Sequence, residues 1–134
     1  MAVEKYIDYI DDPNDTYEEY LEKAKKYNFR CVFFDGEDPD SYQKGLEILK
    51  GTDIVLAGAI DFPEGVMSLE EKMKDFEKMA AMGVPEIDYV LNQKAVESRD
   101  FETIEKEMTT IAEFCRKNKI KDKRSEERRV GKEC

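Results

Sequence analysis

One local pattern repeats along the chain: a short apolar run, a break rich in Asp, Pro and Gly, then an amphipathic stretch that can coil as a helix. The apolar runs fall at residues 6–10, 31–34, 54–60 and 85–92, a repeat of roughly 25 to 35 residues that suits βαβ units. Successive right-handed crossovers then force the strands into a parallel sheet. The expectation is an α/β fold of about four parallel strands, each followed by a helix.

The helical stretches carry their own start and stop signals. Thr16 and Glu19 form a capping box, and Tyr17, Tyr20, Leu21, Ala24 and Tyr27 recur at helical spacing as far as Asn28. A second helix, from Asp40 to Lys50, puts Tyr42, Leu46 and Leu49 on one side and meets a stop at Gly51. Ser68 and Glu71 make another capping box ahead of Leu69, Met73, Phe76, Met79 and Ala80, with Lys72 read as solvated on the outer side. The last helix, Phe101 to Asn118, turns Ile104, Met108, Ile111 and Phe114 or Cys115 inward. Cys31 is read as a small core residue, and the loop aspartates as turn formers.

Composition excludes several classes of function. A net charge of -10 repels nucleic acid phosphates and anionic membrane surfaces, so neither is expected as a partner. No run of about 18 apolar residues is present to span a bilayer, and Met1 to Tyr6 lacks the features of a secretory signal, so a cytoplasmic location is expected. The absence of histidine removes every Ser-His or Cys-His catalytic pair. Three widely spaced cysteines, Cys31, Cys115 and Cys134, suggest neither a disulfide framework nor a zinc site.

Within the fourth apolar run, Asp88 stands among Ile87, Val90 and Leu91, where an unpaired charge costs several kcal/mol, roughly. Two patterns accompany it: Phe62-Pro63-x-Gly65 upstream, and Glu86-Ile87-Asp88-x-Val90-x-Asn92 itself. Ser98-x-Asp100-Phe101-Glu102 leads on into Ile104-Glu105-Lys106-Glu107, and Gly51-Thr52-Asp53 precedes the third run. In this order and spacing they resemble the deoxyribose-phosphate aldolase family, from about Tyr6 to Lys119.

That resemblance implies the first half of a (β/α)8 TIM barrel over residues 1–123. It implies a carbon-carbon lyase, a class I aldolase that cleaves 2-deoxy-D-ribose 5-phosphate to acetaldehyde and glyceraldehyde 3-phosphate through a lysine Schiff base. No metal or other cofactor takes part, and the partner is a small phosphorylated sugar. By the family's pattern Asp88 is the catalytic proton relay and Asp8 a supporting carboxylate. The chain departs from the pattern at Tyr9-Ile10-Asp11-Asp12-Pro13, at Phe33 in place of a cysteine, and at Asp61 in place of a glycine.

The family's Schiff-base lysine lies on strand six, which this chain does not reach. Arg124 to Cys134 matches, residue for residue, the in-frame translation of a sequencing adapter beginning AGATCGGAAGAGC, so 124–134 is expected to be a non-native tail. The fragment is therefore expected to be inactive, with uncovered strand edges that favour a homo-dimer. Two other readings stand beside this one. Asp11, Asp12 and Asp61 could form the magnesium and phosphoryl site of a receiver-like signalling domain. The parent could also be a barrel relative without catalysis.

Overall fold

The computed structural model describes residues 3–10, 13–36, 38 and 40–125. The chain divides into two compact units, Met1–Gly58 and Ala59–Cys134.

In the first unit, helix α1 (Tyr17–Tyr27) precedes strand β1 (Cys31–Phe33), and helix α2 (Asp40–Ile48) precedes strand β2 (Val55–Ile60), whose last residues belong to the second unit. The Thr16–Glu19 capping box forms as its sequence predicts: the Thr16 hydroxyl accepts the Glu19 N–H, and the Glu19 carboxylate accepts the Thr16 N–H. Two of the helix's orphan N–H groups are thereby satisfied. α1 buries Tyr20, Leu21 and Ala24, leaves Tyr27 exposed, and ends at Asn28 in the left-handed conformation, with φ +54°. β1 and β2 pair in parallel, from Cys31 opposite Val55 to Phe33 opposite Ala57. Cys31 and Val32 are fully buried, as expected for a wholly apolar strand.

The strand expected at residues 6–10 does not form. Val3–Tyr6 is a short 3-10 helix, and a single parallel bridge joins Asp8 to Cys31. An extended run there has too little to bury: Tyr6 and Ile10 are exposed, while Tyr9 packs its ring against Tyr20 and Phe29 at centroid distances of 5.3 and 4.7 Å. The Tyr20 hydroxyl donates to the Tyr9 carbonyl and accepts the Phe33 N–H, so one side chain ties this segment to β1.

The second unit contains α3 (Leu69–Met82), β3 (Glu86–Val90), α4 (Gln93–Ser98), α5 (Phe101–Lys117) and β4 (Lys121–Ser125). Ser68 and Glu71 cap α3, and Gly83 closes it at φ +83°. β3 and β4 run parallel, from Glu86 opposite Lys121 to Val90 opposite Ser125. Phe76 of α3 is fully buried and meets Tyr89 of β3 and Phe114 of α5 edge-on, at 5.9 and 6.1 Å. Rings in this geometry gain about 0.5–1.5 kcal/mol beyond the area they bury. Ile87, Ile111 and Cys115 complete this core.

Each unit holds a parallel strand pair, β1 with β2 and β3 with β4, and the parallel α/β class expected from the sequence is present. Its membership differs, because β4 replaces the segment at residues 6–10. β4 also runs two residues, Arg124 and Ser125, into the stretch read as a non-native tail. The rest of that tail, and Asp11 and Asp12, lie outside the described residues. No helix among the described residues is long and apolar enough to cross a membrane.

Candidate functional site

The side chains of β3 alternate between two faces. Ile87 and Tyr89 lie on the apolar face, where Phe76 packs, and Glu86 and Asp88 point to the other. The parallel register sets Lys121 beside Glu86 and Lys123 beside Asp88. Lys123 Nζ lies 3.1 Å from Asp88 Oδ1 and 3.8 Å from Glu86 Oε1, and Lys121 Nζ lies 3.5 Å from Glu86 Oε1. The Asp88 side chain is 28% exposed and that of Lys123 26%, whereas Glu86 is almost wholly covered. The sequence placed Asp88 in a buried apolar run; the alternation instead turns it onto a polar, partly open face, paired with an ammonium.

Lys72 corrects the sequence reading more sharply. Expected in solvent, its side chain is fully buried in the first turns of α3. Its ammonium donates to the Val90 carbonyl at 2.7 Å and to the Glu107 carboxylate of α5, and stands 3.3 Å from Asp61 Oδ2. The other Glu107 oxygen accepts the Asn92 N–H at 2.9 Å. Asp61, at φ +60°, spends its carboxylate on the Val66 and Met67 N–H groups at 2.9 and 3.0 Å. A buried ammonium needs such compensation, because desolvating it alone costs several kcal/mol, roughly. Periodicity does hold the signal: Lys72, Phe76 and Met79 share one buried stripe of α3, and the charge of Lys72 masked its position there.

The two sequence patterns meet at the end of β3. Gly65, at φ +68°, donates its N–H to the Asp61 carbonyl and accepts the Gln93 N–H, both at 2.9 Å. Asn92 caps α4 by accepting the Ala95 N–H at 3.0 Å. The Phe62-Pro63-x-Gly65 loop is thus fastened to the residues that directly follow Asp88 and Val90.

Asp8 lies in the first unit and Asp88 in the second. The Asp8 carboxylate accepts from Arg30 Nε at 2.6 Å, with both side chains about 30% exposed. Asp38 is a turn former, accepting the Asp40 N–H at 3.1 Å. The receiver-like reading loses its phosphoryl acceptor, since the Asp61 carboxylate is 2% exposed and held by two amides and Lys72. Among the described residues no group of three or more Cys, Asp or Glu is set to hold a metal ion. Cys115 and Tyr89, behind β3 on the helix side, are each pushed up to about 12, chiefly by burial. Neither serves as a nucleophile or base near neutral pH.

Lys123 and Glu107 are the polar members that sequence reading missed as site residues. The alternation of Lys121, Asp122 and Lys123 is legible, but its meaning depends on a partner strand. Glu107 is one glutamate among many on α5.

No protein-family model matches the chain. It is 34% identical over 99 residues to the deoxyribose-phosphate aldolase of Lactobacillus acidophilus, covering 74% of this chain and 40% of that protein. It is 30% identical over 115 residues to the deoxyribose-phosphate aldolase of Brevibacillus brevis, covering 83% of this chain and 51% of that protein. Among solved structures, the deoxyribose phosphate aldolase of Aeropyrum pernix, described as a unique tetramer, matches with a TM-score of 0.70 at 22% identity. That match covers 90% of this chain and 50% of the other, and it shows a shared fold. The chain spans about half the length of the curated relatives it matches. Over the stretch it shares with these proteins, the chain belongs to the deoxyribose-phosphate aldolase family.

Proposed function

We propose that this chain supplies the N-terminal half of an aldolase, and that the complete protein cleaves 2-deoxy-D-ribose 5-phosphate to acetaldehyde and glyceraldehyde 3-phosphate. The observation that carries this reading is the Asp88 carboxylate, partly open on the polar face of β3 with Lys123 at 3.1 Å. A carboxylate beside an ammonium is favoured in its ionised form and can take a proton, through water, from a carbon acid held nearby. Asp8, paired with Arg30, is assigned the supporting role. The Schiff-base lysine belongs to a strand beyond β4, so the chain alone is assigned no turnover.

Residues 124–134 are assigned to a non-native tail on their residue-for-residue match to adapter sequence. The cytoplasm is the proposed location, because phosphorylated sugars do not cross membranes unaided. Self-association is proposed through β4, whose outer edge is a template for another strand.

The test is to extend the coding sequence downstream and incubate the completed protein with acetaldehyde and borohydride. A covalent two-carbon adduct on a lysine beyond residue 125 is expected, with Asp88→Asn lowering turnover by about 100-fold or more. No adduct in the completed protein, or undiminished turnover in Asp88→Asn, would overturn the assignment.

A further inference from the structure

The buried ammonium of Lys72 gathers three segments that surround the end of β3. It holds the Val90 carbonyl directly, the Phe62-to-Gly65 loop through Asp61, and the Asn92 N–H through Glu107. We propose that Lys72 is a positioning residue for the Asp88 carboxylate.

A buried core position does not need a charge. Apolar side chains of similar volume fill such sites as well or better, so filling space does not explain an ammonium here. What the charge adds over a methionine is direction. Its acceptors come from β3, from the loop after β2 and from α5, and each of the two carboxylates fixes further amides: Val66 and Met67 by Asp61, Asn92 by Glu107. Val90 lies two residues beyond Asp88, on the same face of the strand. Fixing the Val90 carbonyl therefore fixes the pleat that carries Asp88 and sets its 3.1 Å approach to Lys123. Lys72 acts through the backbone and touches none of the reacting groups.

This role rests on reading Asp88 as a site carboxylate, but its test uses no substrate. The Asp88 carboxyl is titrated by carbon-detected NMR in the folded chain, and exchange of the Val66, Met67 and Asn92 amides is followed alongside. Lys72→Met, Lys72→Arg and Glu107→Gln are compared with Met79→Ala, a truncation further along the same helix. Lys72→Met is expected to raise the Asp88 midpoint by about half a unit or more as the pair with Lys123 loosens. It should also speed exchange of the three amides by about tenfold or more. Glu107→Gln removes a negative charge, which alone would lower the midpoint, so a rise there reports the loosened pair, and Lys72→Arg should return the midpoint toward that of the parent chain. Met79→Ala weakens the core and should leave the midpoint in place.

If the midpoint fails to rise in Glu107→Gln, the change in Lys72→Met is that of the lost charge alone, Lys72 is a structural core contact and the proposal is overturned. Should Lys72→Met not fold, Glu107→Gln decides alone, since its amide oxygen still accepts the Asn92 N–H. Failure of the aldolase assignment would appear separately, as absent borohydride trapping in the completed protein with these shifts intact.

Discussion

Gly65 offers the sharpest test of how the loop after β2 is fastened to the end of β3. A Cβ placed on it would lie 2.6 Å from the Leu91 carbonyl oxygen, 2.7 Å from Gln93 Cγ and 2.8 Å from Val90 Cγ1. The first of these is backbone and cannot turn aside. Gly65→Ala therefore meets two penalties: left-handed strain at φ +68°, about 1–2 kcal/mol, and overpacking, about 1–3 kcal/mol. Their sum is a loss of about 2–5 kcal/mol. Gly83→Ala is the matched control, with φ +83° but no atom within 4 Å of its Cβ, and should lose only the strain, about 1–2 kcal/mol. Urea unfolding followed by circular dichroism reads both. At a slope of about 2 kcal/mol per molar, the Gly65 variant should unfold about 1–2.5 M earlier than the parent chain. Equal losses in the two variants would refute the close approach.

Three further outcomes follow from the second unit. Ser68→Ala removes one side of a capping box and should cost about 1 kcal/mol in urea unfolding; a loss no larger than for an exposed Ser→Ala elsewhere would count against the cap. Phe76→Ala empties the space between Tyr89 and Phe114 and should cost about 3–5 kcal/mol, read by the same assay, with a loss under about 1 kcal/mol as the contrary result. Burial raises Cys115 from 9.0 and Tyr89 from 10.0, each to about 12, so above pH 9 the unfolded chain sheds protons that the folded chain keeps. Stability should be intact below about pH 9 and fall as pH rises from there, by up to ~1.4 kcal/mol per pH unit for each group. A urea midpoint that stays flat from pH 8 to 11 would refute this, and Cys115→Ala should remove the part that begins first.

Local signals served best where one segment decides its own structure. Both capping boxes and the helices they start were legible because cap and first turn lie within a few residues of one another. Cys31–Phe33 was legible because a strand covered on both faces must be apolar. β4 was not, since Lys121 to Ser125 contains no apolar residue and owes its extended form to pairing with β3. The segment at residues 6–10 failed in the opposite sense, apolar enough to suggest a strand but with its ends left in solvent. Lys72 shows the limit of reading charge as exposure, because only the fold brings Asp61 and Glu107 to it from 11 residues before and 35 after. Asp88 could be singled out from its neighbours in sequence, but Lys123, 35 residues onward, needed the register of two strands.

The same register has a consequence for how the chain finds its fold. A slip of one residue between β3 and β4 would swap the faces of β4, turning Lys121 and Lys123 away from Glu86 and Asp88 and bringing Asp122 to that side. Glu86 and Asp88 would lose the two ammonium groups that face them and gain a like charge. Four charged side chains therefore act as a two-tooth key that fits best in the observed alignment, where both pairs form at once. A strand with no hydrophobic residue of its own thus takes its place beside β3 from the charges it presents.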